Sequence, residues 1–389
     1  MNYGITIEDG IFKINGKPFY GYGVNAYTMT MNLQFNPEDE SYKDGFAMLK
    51  KYNIPFIRIP MLWANVAEYE QYQKEPDSLF RVPDAILAEA EKQKIGVILW
   101  IVNAAGFASM LGEKPSAVGD VNSKTMAFMK DLVRTSVERY KNHPAVWGWE
   151  VWNEGNLFAD VLQFDRPAVY DAHFGPLVGS TNGFDSVTSE EIMIAHREVA
   201  KAVREVDAYR MISSGNGLQR EFAHTLHKQS QQMADNHTWA MSWEKDTLEG
   251  FHFMNQYFTP DPVDAVCMHM GNPQEDFTYE LSDAKLTNEE LLKEYVAVAK
   301  SEGKAFYYGE FGDMGVLSDL DSDMVRERTA KNLRDMVSAG VQLGTLWQFN
   351  GQNNIFNDEG NLGIIFREIS KVNDQFKEAG LQDLTGVWQ

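Results

Sequence analysis

The sequence predicts a (β/α)8 TIM barrel, in which eight parallel strands form a closed barrel inside a ring of helices. Short apolar runs of strand type alternate with stretches of helical periodicity along the 389-residue chain. Eight such runs can be counted, and most are continuously apolar, as expected for parallel strands that are buried on both faces. An open, doubly wound sheet is the alternative fold class for this pattern.

The strand candidates and the helix signals between them follow the chain in order. The eight runs cover residues 19–26, 54–60, 95–102, 146–152, 209–215, 264–270, 305–311 and 341–349. Thr188 with Glu191, and Thr287 with Glu290, each fit a capping box at the start of an amphipathic stretch. The acidic residues there are therefore expected to be solvated helix starts and not catalytic groups.

Two further segments complete the predicted domain, which is expected to span residues 1–389. Residues 1–18 are predicted to form an N-terminal β-hairpin that closes the bottom of the barrel, with Asp-Gly and Asn-Gly turns at 9–10 and 15–16. The gap at 216–263 is too long for a simple connection, and predicts a helical insertion between barrel strands 5 and 6. We find no linker or repeat, so a single domain with extended βα loops is expected.

Composition and charge narrow the classes of partner. The net charge of −21 disfavours nucleic acid and anionic membrane surfaces as partners, and no run approaches the roughly 18 apolar residues of a membrane helix. A neutral small molecule or polymer fits better. The single cysteine, Cys267, excludes an internal disulfide framework and a cysteine-rich zinc site. The sequence makes no prediction of oligomeric state.

The first residues of the chain and one glycine-rich motif lead to further expectations. The chain opens MNYGITIEDG without a basic or apolar leader, so it is expected to be cytoplasmic as written, or secreted if a leader has been removed. GYGVNA at 21–26 matches a dinucleotide-binding fingerprint, but no helix pattern starts at its end, so no nucleotide is predicted. No metal or other cofactor is predicted either.

Two glutamates are the strongest catalytic candidates. Residues at the carboxyl ends of barrel strands line the active sites of this fold class, and Glu154 and Glu310 follow or end strands 4 and 7. Two carboxylates that converge over one barrel mouth can protonate a glycosidic oxygen and attack an anomeric carbon. Glu150 lies four residues before Glu154, about 13 Å deeper at roughly 3.3 Å per residue. It is expected to be a buried, hydrogen-bonded interior residue.

An ordered set of motifs carries a resemblance to a known family. VWNEG follows strand 4, GEFG ends strand 7, IRIP lies on strand 2, a tryptophan lies on strand 8, and INGKPF and GVN come early in the chain. Together they resemble glycoside hydrolase family 5 of clan A, the cellulase and mannanase family. The resemblance extends over nearly the whole chain and keeps the order of the motifs.

The resemblance implies a role for each matched residue. Glu154 would be the general acid/base and Glu310 the nucleophile of a retaining mechanism. Arg58 would support the nucleophile, because its permanent charge keeps a nearby carboxylate ionised. Asn153 would hydrogen-bond the sugar 2-hydroxyl, and Trp347 would be the platform beneath the sugar at the point of cleavage. Four further residues are substrate-binding candidates: His269, Asn103, Asn25 and Trp63.

Two positions depart from the family pattern. Val102 stands where the family usually has a histidine at the end of strand 3, and Gly271 stands where a tyrosine normally touches the nucleophile. The carboxylate pair and its nearest supports are kept. The departures therefore concern the contacts to the substrate.

The predicted activity is retaining hydrolysis of a β-1,4-linked glucan or mannan, or of its oligosaccharides. The two carboxyl groups are expected about 5 to 5.5 Å apart. Glu154 is expected to have a raised pKa, because tryptophans on its strand desolvate it, and Glu310 a normal or lowered one beside Arg58. The alternatives are a catalytically silent sugar-binding barrel and a transglycosylase on the same scaffold.

Overall fold

The fold is an eight-stranded parallel barrel, seen in a computed structural model. The structure describes residues 3–62, 66–102, 104–160, 187–233, 242–271, 277–312, 320–349, 356 and 358–388. Eight strands close the barrel, and every neighbouring pair is parallel. The prediction of a (β/α)8 barrel is thereby confirmed, and the open sheet is not found.

Each barrel strand lies inside one of the predicted apolar runs. The barrel strands are β4 (Gly21–Asn25), β5 (Phe56–Pro60), β6 (Gly96–Trp100), β7 (Val146–Glu150), β8 (Met211–Ser213), β9 (Ala265–Met270), β12 (Ala305–Phe311) and β13 (Leu343–Leu346). All their residues are buried, because the strands face the barrel interior on one side and helices on the other. This burial explains why the runs are continuously apolar.

Twelve α-helices occur in the described part of the chain. They are α1 (Tyr27–Phe35), α2 (Ser41–Lys51), α3 (Val66–Tyr72), α4 (Arg81–Gln93), α5 (Ala104–Met110), α6 (Lys124–Tyr140), α7 (Ser189–Arg204), α8 (Ala223–Met233), α9 (Leu248–Tyr257), α10 (Asn288–Ser301), α11 (Ser322–Ala339) and α12 (Asn361–Glu378). The capping boxes predicted at Thr188 and Thr287 are both formed, at the starts of α7 and α10. None of the described helices is long and apolar enough to span a membrane.

A small antiparallel sheet covers the amino-terminal end of the barrel. It has three strands, β1 (Ile5–Glu8), β2 (Ile11–Ile14) and β3 (Lys17–Pro18), so the predicted hairpin gains a third strand. Asp9 and Asn15 both have positive φ and are each followed by a glycine, as tight hairpin turns require. Phe12 packs in one apolar cluster with Trp147 and Tyr307 of the barrel interior. The bottom of the barrel is therefore closed by packed side chains.

The opposite end of the barrel carries the longer connections. Helices α8 and α9 both lie in the connection from β8 to β9, where a helical insertion is predicted. A short two-stranded sheet, β10 (Tyr279–Glu280) with β11 (Lys285–Leu286), follows β9. The single-domain organisation over residues 1–389 stays a prediction. The polar side chains considered next come from this end of the barrel.

Candidate active site

Glu154 lies in a tight turn directly after β7. Its φ of 55° is in the left-handed region, which is uncommon for a residue with a side chain. The turn is held because the Glu154 backbone N–H donates to the carbonyl of Gly215, 2.7 Å away, at the end of the neighbouring strand. Strained conformations of this kind cost about 1–3 kcal/mol and often occur at functional sites. The Glu154 side chain is one-third exposed, so it faces accessible space.

A β-bulge sets the position of Glu310 on β12. Tyr308 pairs with Met268 and Glu310 pairs with His269, which leaves Gly309 as the extra residue between them. Bulges next to active sites change the direction of the following side chain. A Cβ atom on Gly309 would lie 2.6 Å from both the Cys267 Sγ and the His269 Nε2 atoms. Glycine is therefore required for the imidazole of His269 to lie beside Glu310.

Arg58 connects Glu310 with Asn153, the residue that precedes Glu154. Its Nη1 donates to Glu310 over 2.8 Å and to Asn25 over 2.7 Å, and its Nη2 donates to Asn153 over 2.7 Å. Its Nε donates to Glu150 over 3.0 Å. The guanidinium is fully buried and stacks on the ring of Trp100, with 4.4 Å between Cζ and the ring centroid.

His269 lies between the two catalytic candidates. Its Nδ1 is 3.3 Å from a Glu154 carboxylate oxygen and 3.4 Å from a Glu310 carboxylate oxygen. Burial alone would lower the pKa of His269, but the negative charge of Glu310 and the contact with Cys267 outweigh burial and raise the pKa well above its usual value. The charge of Glu310 beside the ring therefore favours the protonated form of the imidazole.

The two carboxylates approach each other closely. One oxygen of Glu154, one oxygen of Glu310 and a ring nitrogen of His269 all lie within 4.8 Å of one another. The Glu310 side chain is 12% exposed, against 33% for Glu154. The nucleophile candidate thus lies deeper than the acid/base candidate, and both face the same small region.

The predicted order of the two pKa values is wrong. Burial acts to raise the pKa of Glu154, but the close contact with His269 and the positive charges of His269 and Arg58 hold it below its usual value. Burial raises the pKa of Glu310, and the charges of His269 and Arg58 oppose this only in part. The prediction counted the tryptophans and Arg58 but omitted the imidazole that contacts both carboxylates.

The expected depth of Glu150 also needs correction. Glu150 is fully buried and hydrogen-bonded, as predicted, yet it is not remote from the site. The chain turns after β7 and does not continue as a strand, so a Glu150 oxygen lies within 4.8 Å of a His269 ring nitrogen. Glu150 and Glu310 also share Arg58 as a partner.

Two groups of described side chains have the spacing that a metal ion would need. They are Glu154, His269 and Glu310, and, beneath them, Glu150, Cys267 and His269. In each group a carboxylate already pairs with the fixed positive charge of Arg58, and the pKa of His269 is raised by the charge of Glu310. The protein thus supplies the positive charge with its own residues, and the absence of a metal requirement stays a prediction.

The remaining predicted site residues differ in their placement. Trp347 is half-buried after β13, and its ring stacks on that of Tyr27 with 5.3 Å between centroids and 12° between planes. Asn25 is fully buried, and its Nδ2 donates to the Gly309 carbonyl over 2.9 Å, which favours a supporting role over contact with a sugar. Asn103 and Trp63 lie outside the described residues.

Several residues of the site were not found by sequence reasoning. Tyr27 follows the GVN motif and carries no signal of its own. Cys267 lies two residues before His269, so strand alternation places both on one face, a signal that was available. Gly309 belongs to the GEFG motif, but its bulge depends on pairing with two neighbouring strands.

Comparison with known proteins assigns the chain to a family. The model of the cellulase family, glycosyl hydrolase family 5, matches residues 13–353. The chain belongs to glycosyl hydrolase family 5. This match covers most of the barrel and includes every one of the predicted site residues.

Most of the curated relatives that this family 5 member matches are named mannan endo-1,4-β-mannosidases, and one, from Paenibacillus borealis, is named a β-glucuronidase. It is 27% identical over 184 residues to mannan endo-1,4-β-mannosidase 3 of Arabidopsis thaliana, a match over 40% of this chain and 44% of that protein. The chain spans about half the length of the curated mannosidases that it matches.

Solved structures show the same fold. The endo-1,4-β-mannanase from Rhizomucor miehei superposes with a TM-score of 0.62 at 13% identity, over 96% of this chain and 99% of that chain. The endo-1,4-β-mannanase from Eisenia fetida gives a TM-score of 0.58 at 16% identity, over 99% of both chains. At these identities the likeness concerns the fold alone.

Proposed function

We propose that this family 5 protein is a retaining β-glycoside hydrolase that acts on β-1,4-linked mannan or the related glucan chains, and on their oligosaccharides. The observation that carries the proposal is that one carboxylate oxygen of Glu154 and one of Glu310 lie within 4.8 Å of each other at one end of the barrel. Retaining enzymes hold their carboxyl groups about 5 to 5.5 Å apart, whereas inverting enzymes need about 6.5 to 9.5 Å. The names of the relatives favour mannan as the backbone.

Glu310 is the nucleophile in the first step. Its carboxylate forms a bond to the anomeric carbon while the bond from that carbon to the glycosidic oxygen breaks. Arg58 donates to a Glu310 oxygen over 2.8 Å and so stabilises the ionised form that must attack. Because burial raises the pKa of Glu310, this ionised form is lost first as the pH falls.

Glu154 supplies the proton to the leaving oxygen in the same step. A carboxylic acid in this role must hold a proton, although the pKa of Glu154 is lowered by His269. The protonated imidazole holds that proton 3.3 Å from a Glu154 oxygen, and transfers it to Glu154 as the leaving oxygen develops charge. The proton therefore belongs to Glu154 and His269 together.

Water completes the cycle in the second step. The ionised Glu154 accepts a proton from water and returns it to His269, and the resulting hydroxide oxygen bonds to the anomeric carbon as the bond to Glu310 breaks. The product keeps the β-configuration because each step inverts it once. Replacement of the water by an acceptor sugar would give a longer product by the same step.

Asn153 and Trp347 are the proposed substrate contacts. The Asn153 Oδ1 atom accepts from Arg58, so its amide N–H2 group is directed away from the arginine and can donate to a sugar hydroxyl. Trp347 is half-buried, and its stacking on Tyr27 fixes the indole plane as a platform. Both side chains lie at the same end of the barrel as the carboxylates.

The test is reducing-sugar release by the wild-type protein on β-mannan, β-glucan, xylan and aryl β-glycosides. Glu154→Ala and Glu310→Ala are run beside it, with Glu244→Ala as a control, because Glu244 is exposed on the same end of the fold. We expect turnover of mannan by wild type and control, and its loss in both active-site variants. NMR of the first product should show the β-anomer.

Three outcomes separate the alternatives. An α-anomer as first product would contradict the retaining mechanism, although the protein would still be a hydrolase. No turnover on any member, with measurable affinity for mannan oligosaccharides, would support a silent sugar-binding barrel. Longer products on adding acceptor sugars would identify a transglycosylase.

A further inference from the structure

A buried carboxylate beneath the site has no role in the proposed reaction. Glu150 ends β7 and is fully buried. One of its oxygens accepts from both Nε and Nη2 of Arg58, and the other accepts from the Ser213 hydroxyl over 3.0 Å. An ionised side chain in such a position is expensive unless each oxygen is satisfied, as both are here.

The contact fixes the orientation of the guanidinium. A guanidinium is planar, so two donors on one edge define the plane and the direction of the whole group. Glu150 takes the Nε and Nη2 edge, and the remaining N–H groups then point at Glu310, Asn25 and Asn153. The nucleophile and the proposed sugar-binding amide are thus both held by a group whose direction depends on Glu150.

We propose that Glu150 is a positioning residue, which holds Arg58 in the one orientation that contacts the Glu310 carboxylate and the Asn153 amide together. This inference rests on the proposed glycosidase function and assigns a role to a residue outside the acid/base and nucleophile pair. Glu150 touches no substrate. Its effect passes through Arg58.

The charge of Glu150 has a second effect on the same groups. Glu310 is faced by Arg58, His269, Glu154 and, more distantly, Glu150, and the negative charge of Glu150 contributes to its raised pKa. Glu150 itself is faced by Arg58 and by the Cys267 and His269 side chains. The Tyr307 hydroxyl, hydrogen-bonded to a threonine, completes the buried surroundings. Replacing the charge while keeping the shape separates the two effects.

Two substitutions and one control test the proposal. Glu150→Gln keeps an oxygen that accepts from Arg58 but removes the charge, whereas Glu150→Ala removes the acceptor as well. Asp207→Asn is the matched control, because Asp207 pairs with the buried Arg210 at 2.6 Å with both side chains fully buried, and neither belongs to the site. Circular dichroism and thermal unfolding first establish that all three variants fold.

The kinetic readout is kcat, KM and the pH profile on mannan oligosaccharides. Misplacement of a catalytic group by about 1 Å costs about 100-fold in rate, so we expect Glu150→Ala to lose about 100-fold in kcat. Glu150→Gln should keep most of kcat and should move the acid limb of kcat/KM to lower pH. Asp207→Asn should change stability but neither kcat nor the pH profile.

A readout without turnover keeps this inference separate from the proposed function. The Glu310 carboxyl can be titrated by carbon NMR in wild type and in Glu150→Gln, and its pKa should fall in the variant. If wild type hydrolyses mannan but Glu150→Ala matches Asp207→Asn in kcat, the positioning role is wrong. If the Glu310 titration is the same in Glu150→Ala as in Glu150→Gln, Arg58 keeps its contact with Glu310 without Glu150 and the positioning role is wrong, whether or not the wild type proves active.

Discussion

Removal of the Arg58 guanidinium is the most demanding perturbation that the structure suggests. Arg58→Met keeps an unbranched apolar chain of similar length but takes away the donors to Glu150, Glu310, Asn25 and Asn153. Both carboxylates then stay buried without their cation. The variant tests whether the site is held by this one charge.

The expected cost can be worked from the burial of the pair. The side chains of Arg58 and Glu150 are fully buried, and removal of one partner of such an ion pair costs about 3–5 kcal/mol, because the other charge is left without compensation. An exposed pair offers the control. Arg134 pairs with Glu205 with both side chains about half exposed, so Arg134→Met should cost about 0–1 kcal/mol.

The pH dependence gives the sign of the effect. Without Arg58, burial raises the folded-state pKa of Glu310 further above the unfolded value of about 4.3. A carboxyl with a raised folded-state pKa costs stability above its unfolded pKa, and the cost disappears as the pH falls below that value. Arg58→Met should therefore be more destabilised at about pH 8 than at about pH 5.

Urea unfolding followed by tryptophan fluorescence measures this difference. The double variant Arg58→Met/Glu150→Leu should recover part of the loss, because a buried pair replaced by apolar residues is often neutral. A loss below about 1 kcal/mol at high pH, or an equal loss at both pH values, would refute the reasoning. In that case water must reach the carboxylates.

Three further predictions concern single residues of the site. Gly309→Ala should cost about 1–3 kcal/mol and lower kcat, because its Cβ would lie 2.6 Å from His269 and Cys267, and Cys267→Ala should recover part of the stability in thermal unfolding. Trp347→Ala should raise KM for mannan oligosaccharides about 2- to 10-fold, because one stacking contact with the sugar is lost, and should change kcat less. An unchanged KM would contradict the platform role. His269→Gln should move the basic limb of the kcat/KM profile to lower pH, because the proton for the leaving oxygen is then held by Glu154 alone. An unchanged basic limb would argue against a proton shared by Glu154 and His269.

Local rules were sufficient for the parts of the fold that depend on local structure. The capping box at Thr188 is formed because its hydroxyl and the Glu191 carboxylate satisfy backbone N–H groups at the helix start, whatever lies around them. The same holds for the positive φ of Asp9 and Asn15 in the hairpin turns. The barrel followed because continuous apolar runs need cover on both faces.

For the site, the sequence predicted which residues lie at the ends of barrel strands but not which side chains contact one another. The position at the carboxyl end of a barrel strand predicted Glu154 and Glu310, and the family resemblance added Arg58, which contacts Glu310 in the structure. The bulge at Gly309 and the turn after Glu150 depend on pairing between strands distant in sequence, and no local pattern encodes them. Those two features decide which side chains touch, and hence the pKa values.

The reversed pKa order has a general reason. Three carboxyl groups, Glu150, Glu154 and Glu310, face two cationic groups, Arg58 and His269. The protons therefore belong to the cluster, and the limbs of the pH–rate profile cannot be assigned to single residues. Loss of a negative charge in Glu150→Gln makes the last ionisation easier and should extend the acid limb. Loss of the imidazole in His269→Gln removes the strongest base and should shorten the basic limb. In a coupled network each substitution should also displace the opposite limb, whereas a change confined to one limb in each variant would mean that the groups titrate independently.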